Sequence, residues 1–181
     1  ERKSLNANIS SSFNFGRENT DIDTNAYDEN EILTGNTFLQ RTHNYGKENI
    51  SIAILNYAFP ISEKSIIETG YKGTFRFFNS DFQSSDFVNN EYVVNPLVSN
   101  IFDFNEQINA VYALWNSYSG SKENQKWKYN LGLRAEQVSN NGKTQNNSDN
   151  FSNHYVKLFP SASLQLNLAS DEFLKMGYSK R

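Results

Sequence analysis

The stretch DIDTNAYDENEI, residues 21–32, sets possible metal ligands at a ligand spacing. Asp21, Asp23 and Asn25 alternate as the first ligands of a calcium loop do. Such a loop also needs Gly at its sixth position, for a sharp turn, and Glu at its twelfth, to close the oxygen shell. Those positions hold Ala26 and Ile32. A solvated acidic loop is therefore the favoured reading, with calcium at Asp21, Asp23 and Asn25 as the weaker one. His43 and His154 are the only histidines, and there is no cysteine. Zinc needs three or four convergent ligands, and no spacing supplies them. Both histidines read as polar surface groups near the loop ends of strands. No G-x-S-x-G, H-E-x-x-H or phosphate-binding loop occurs. Carboxylates are plentiful, but nothing singles out an acid–base pair. No catalytic residue, metal or cofactor is expected, no ligand contact can be named, and an enzyme finds no support.

The bulk composition points away from several other functions. Net charge is −3, and the Lys and Arg residues are scattered, so nothing favours nucleic acid as a partner. Without cysteine there is no disulfide framework. Mean hydropathy is −0.69, which alone suggests a very polar soluble chain. Yet aromatics reach 14%, far above a disordered composition. Asn and Ser supply roughly a quarter of the residues, well above average usage. No apolar run approaches the ~18 residues of a membrane helix. The first residues, ERKSLNANIS, lack an initiator Met and a signal-peptide core, and EFLKMGYSKR stops inside an alternating pattern. The chain reads as a piece of something longer or as a processed product.

Period-2 alternation recurs, whereas helical periodicity does not. In WKYNLGLRAEQ, Trp127, Tyr129, Leu131, Leu133 and Ala135 share one face, and Lys128, Asn130, Gly132, Arg134 and Glu136 the other. Leu5, Ala7, Ile9, Phe13 and Phe15 oppose a row of Asn and Ser. Ile67, Tyr71, Phe75 and Phe77 oppose Glu68, Lys72 and Arg76. Ile108, Ala110, Tyr112 and Leu114 oppose Asn105, Gln107 and Asn109, with Val111 and Trp115 blurring the polar face. Ala162, Leu164, Leu166 and Leu168 form another apolar set, as do Leu174, Met176 and Tyr178. Ile50 to Leu55 is apolar on both parities, so its faces stay unassigned.

Seven strands result, near 4–15, 48–59, 64–78, 105–118, 126–138, 154–168 and 172–181. Short connections (60–64, 119–125 and 169–171) alternate with long polar ones (about 16–47, 79–104 and 139–153). An up-and-down antiparallel meander therefore gathers its short turns at one end. Transmembrane barrels sort their loops this way, with short periplasmic turns and long external loops. Tyr57, Phe59, Trp115, Tyr118, Trp127 and Tyr129 crowd the short turns, as an interfacial aromatic girdle would. One apolar face per strand is enough for lipid, which explains the low hydropathy. Tyr27, Phe38, Tyr45, Phe82, Phe87, Tyr92 and Phe102 fall in the long loops, where packing loops together is favoured over stacking on a ligand. Asn8, Asn49, Asn146 and Asn150 begin N-x-S triplets, which an Asn- and Ser-rich chain supplies by chance.

Four stretches, in order, resemble the outer-membrane β-barrel region of TonB-dependent receptors. WKYNLGLRAEQVSNNG is similar to the family's Y-x-L-G-L-R-A-E strand, and HYVKLFPSASLQLNL to its LFPS-x-S-L-x-Y-x-L strand. DEFLKMGYSKR is similar to L-x-L-x-Y-S-R-R, and LNYAFPISEKSIIETGYKGTFR to a hairpin with Y-x-x-P-F and L-E-x-G-Y elements. Lys180 and Gln137 replace the commoner Arg and Tyr. The resemblance implies an all-β chain, residues 1–181, forming part of a larger transmembrane barrel in a Gram-negative outer membrane. It implies uptake of a scarce ligand, with a plug domain, the remaining strands, TonB, outer-membrane lipid and a surface lipoprotein as partners. Receptors of this kind have about 22 strands around a plugged lumen. The alternative is a soluble surface β-sandwich that binds carbohydrate, which would bury Leu131, Leu133, Leu164 and Leu166 against a second layer.

Overall fold

The computed structural model describes residues 3–35, 37–121, 125–145, 150–168 and 172–180. One antiparallel sheet accounts for nearly all of them. Its strands are β1 (Ser4–Thr24), β2 (Phe38–Ser62), β3 (Ser65–Val88), β4 (Glu91–Val94), β5 (Asn100–Gly120), β6 (Gln125–Thr144), β7 (Phe151–Asn167) and β8 (Phe173–Ser179). The spatial order is β1-β2-β3-β5-β6-β7-β8, and β4 pairs with the far end of β3. Consecutive long strands are neighbours, so the expected up-and-down meander is what forms. The sheet does not close on itself.

No second layer covers the sheet among the described residues. Leu131 and Leu133 are 50% and 51% exposed, and Leu164 is 37% exposed. Only Ala110 and Val138 are buried apolar residues there. A sandwich would bury one face of every strand, so the soluble alternative fails on this point.

The strands number eight rather than seven, and they run much further than alternation alone indicates. β2 alone has 25 residues, whereas ~9–11 tilted residues cross the hydrocarbon. Most of the supposed long loops is therefore strand. Residues 16–24 and 38–46 pair with each other, and 79–82 pair with 100–103. Where neither face is apolar the alternation fades while the backbone ladder continues. Among the described residues, loops remain at 25–35 and 95–99. The unforeseen β3–β4 hairpin turns on Asn89 and Asn90, both with positive φ (52° and 68°). Asn tolerates that left-handed region, which two-residue hairpins with matching twist require. The turn expected at 169–171 and the triplet beginning at Asn146 lie on or begin at residues outside those described.

Residues directly opposite on paired strands share a face, so the register assigns every side chain. Leu131 stands opposite Trp115 and Ala162, and Leu133 opposite Ala113 and Pro160. Val111, Ala113 and Trp115 therefore belong to the apolar outer face. This reverses the reading of that strand: Ile108, Ala110, Tyr112 and Leu114 share the inner face with Val138, Glu136, Arg134 and Gly132. Exposure agrees, at 56% for Val111 and 1% for Ala110. Alternation misleads here because both faces carry apolar residues and only the neighbours decide. The same logic resolves 50–55. Ala53 and Leu55 face outward opposite Gly73 and Tyr71, while Ile50, Ile52 and Ile54 face inward opposite Arg76, Thr74 and Lys72.

Candidate functional site

The two faces have different chemistry. On the outer face the apolar stretch of β6 runs from Trp127 to Ala135. At ~3.3 Å per residue and a barrel tilt of ~45° it stands ~20 Å tall, close to a lipid-facing band. Tyr57, Phe59, Trp115, Trp127 and Tyr129 lie on this face beside the short turns. Trp115 Nε1 donates to Ser65 Oγ at 2.7 Å, so the indole N–H is satisfied while its ring stays in the band. Tyr118 does not join this girdle. It pairs with Lys128 on the inner face, and its hydroxyl donates to Glu63 O at 3.1 Å.

The inner face carries the charge. Arg76 reaches Glu48 at 2.6 Å, and Arg134 reaches Glu136 at 2.5 Å. Asn14 Nδ2 also donates to Glu48 at 3.3 Å. Tyr112 lies over Gly70, and its hydroxyl donates to Asn56 Oδ1 at 2.6 Å, linking β5 to β2 across β3. In lipid-flanked strands such pairing keeps polar side chains partnered where unpaired ones are costly.

Higher up, the inner face presents an aromatic row. Phe78, Phe102, Phe104 and Phe151 follow one another with ring centroids 6.3–6.4 Å apart. Phe104 pairs with Gly142, which pairs with Phe151, and the Phe151 ring lies over Gly142. A Cβ at Gly142 would fall 2.1 Å from that ring. We expect Gly142→Val to expel the Phe151 ring and break the end of the row. A tryptophan placed at Phe151 should then show red-shifted emission in the Gly142→Val background and blue-shifted emission in its absence. Sequence reasoning placed Phe102 in a loop and missed the row. The signal was the Phe-Asp-Phe alternation at 102–104, which only pairing with β3 and β6 makes meaningful.

The candidate metal ligands do not converge. Asp21 lies in β1 opposite Arg41 and accepts from its Nε at 2.7 Å. That hydrogen bond, and then the charge of Asp21, holds the Arg41 guanidinium above its usual range. Asn25 Oδ1 is taken by Thr37 Oγ1 at 2.6 Å. Asp28 shapes the loop by accepting from the Asn30 and Ile32 backbone N–H groups, both at 2.9 Å. Asp21 thus has a cationic partner of its own, and Asn25 a hydroxyl one. His43 contacts Asn19, and His154 pairs with Ser139 on β6. No group of three His, Asp or Glu converges among the described residues. Of the supposed loop aromatics only Tyr27 stays in a loop, bridging to Leu33. Phe87 and Tyr92 pack at 5.0 Å, and Arg41 sits 4.2 Å above the Tyr92 ring.

A family model described as the outer membrane protein beta-barrel family matches residues 1–181. The chain belongs to the outer membrane protein beta-barrel family. Comparison with curated proteins finds no match. As a member of this family it resides in the bacterial outer membrane. Walls of such barrels have an apolar lipid-facing band and a polar interior; the stretch from Trp127 to Ala135 has the first character, and the face of Arg134 and Glu136 the second. Strand crossing of this kind needs no apolar helix, and none long enough to span a membrane occurs among the described residues.

Proposed function

We propose that the chain forms part of the barrel wall of a TonB-dependent receptor, and that its task is transport rather than catalysis. The barrel admits a scarce ligand captured at its external end. A plug domain fills the lumen and is rearranged by TonB, and a surface lipoprotein is a further partner. The ordered motifs support this reading, as do strands that rise far above the bilayer. The observation that carries it is the mid-wall of the inner face. Ile52, Ile108 and Val138 lie with Thr74 in one cross-strand row there, and the rows on either side mix Ile50, Ile54 and Ala110 with Arg76, Glu106, Lys72 and Glu136. A water-filled pore has a polar interior, whereas apolar side chains at mid-height favour a lumen packed with protein.

The test uses the full-length gene product in cells and exploits the absence of cysteine from these residues. With Ile108→Cys or Ile52→Cys, a water-soluble thiol reagent should label poorly at rest. Labelling should rise several-fold when TonB is energised and should not rise in a strain lacking TonB. Rapid labelling at rest, indifferent to TonB, would mean an open lumen and would remove the receptor reading.

A further inference from the structure

The outer face changes character along β1 and β2. Leu5, Ala7 and Ile9 with Ala53, Leu55 and Tyr57 continue the lipid band. Beyond them the same face carries Phe13, Phe15 and Arg17 on β1, and Asn49, Lys47 and Tyr45 on β2. The register sets Phe15 opposite Lys47 and Arg17 opposite Tyr45. Both cations lie against the Tyr45 ring: Arg17 Cζ at 5.9 Å and Lys47 Nζ at 5.1 Å from its centroid. Both are exposed. Lys47, on an interior strand, forms no ion pair among the described residues, whereas Arg41, Arg76 and Arg134 each hold a carboxylate. The nearest acid on this face by register is Asp81, opposite Tyr45 on β3.

Height decides what the two cations can meet. Tyr57 and Tyr45 are roughly a dozen residues apart on β2, which at ~3.3 Å per residue and a tilt of ~45° separates them by ~28 Å along the membrane normal. That is about one hydrocarbon thickness. Tyr57 stands beside the short turns, so Tyr45 stands at the opposite, external border. Tyrosine favours that level because its ring is apolar and its tip polar. Exposed cations there face headgroups, and Arg and Lys both bind phosphate, Arg through its fork and Lys as a point charge.

We propose that Arg17 and Lys47, spaced by the Tyr45 ring, dock the phosphorylated headgroup of an outer-leaflet lipid onto the barrel wall. The site rests on the outer-membrane location and the lipid band, and is independent of the transport reading. The neighbouring Phe13 and Phe15, 67% and 69% exposed, would lie against the acyl chains just beneath the headgroup. The two cations and the apolar surface are thus stacked in the order in which a phosphorylated lipid presents its own parts.

The experiment takes the full-length protein in neutral detergent and titrates it with lipopolysaccharide from its own outer membrane, reading the bound fraction by native mass spectrometry. Wild type should bind, and the Arg17→Gln/Lys47→Gln variant should bind at least ten-fold more weakly. Enzymatically dephosphorylated lipopolysaccharide should bind wild type as weakly as intact material binds the variant. Lys72→Gln/Lys128→Gln removes equal charge from the inner face and should leave binding unchanged. Heat-modifiable gel mobility reports folding of each variant, and should the double variant not fold, Lys47→Gln alone is read, with a few-fold loss expected. Undiminished binding by the variant, equal binding of the dephosphorylated lipid, or an equal loss in the inner-face control would each overturn the site. So would competition by millimolar inorganic phosphate, which would point to a free-anion site instead.

Discussion

Arginine in place of Val111 is expected to destabilise the barrel by about 1 kcal/mol, whereas arginine in place of Leu114 should cost less. The two residues are three apart on β5 and similar in chemistry, so only their faces separate them. Val111 stands opposite Tyr71 and Ala135 on the lipid band. An arginine there, at the external end of the band, must still desolvate part of its charge or thin the bilayer around it. Leu114 stands opposite Glu68 on the inner face, where a guanidinium gains a carboxylate and interior water. The measurement is denaturant unfolding of the full-length barrel in lipid vesicles, followed by heat-modifiable mobility. Equal costs would mean that the two faces do not meet different media. A reversed order would restore the strand orientation that alternation within β5 suggests by itself.

That reversal shows which part of the fold is readable along a single strand. In β6, β7 and β8 the apolar set meets lipid and the polar set meets the interior, so alternation names the faces correctly. In β5 the inner face also carries Ile108, Ala110, Tyr112 and Leu114, and the outer face carries Asn109, Gln107 and Asn105 above the band. Each parity is then mixed, and the faces emerge only when Val111, Ala113 and Trp115 line up with Ala135, Leu133 and Leu131. The same limit hid the external halves of the strands. Residues such as Asn19 and Asp21 have weak strand preference and no apolar partner opposite them. They are held by a ladder whose other rail, Arg41 to His43, lies some twenty residues further on. The candidate site was less legible still. The acidic spacing at 21–25 looked like chemistry, yet Asp21 is spent on Arg41. The aromatic row and the Arg17–Tyr45–Lys47 cluster consist of residues whose meaning comes from neighbours on other strands.

Gly70→Val is expected to cost about 2–4 kcal/mol, the sum of overpacking and a lost hydrogen bond. Gly70 is the floor beneath the Tyr112 ring. A Cβ there would lie 2.6 Å from both the Leu55 carbonyl oxygen and the Tyr112 hydroxyl. A side chain could swing away, but the Leu55 carbonyl belongs to the backbone ladder and cannot. The ring must also leave, and with it the 2.6 Å bond to Asn56 that ties β5 to β2. Gly177 provides the control, because a Cβ there would meet its nearest atoms at 3.6 Å and 3.7 Å, an ordinary contact. Gly177→Ala should therefore be close to neutral. Tyr112→Ala added to Gly70→Val separates the two causes, since neighbouring substitutions are coupled through the contact they share. If the ring clash dominates, the second change recovers part of the loss. If the Leu55 carbonyl dominates, it recovers none, and both substitutions add. A Gly70→Val barrel as stable as Gly177→Ala would mean that the Tyr112 bridge does not lie across β3. The inner face would then lose a tie that spans three strands without relying on the ladder itself.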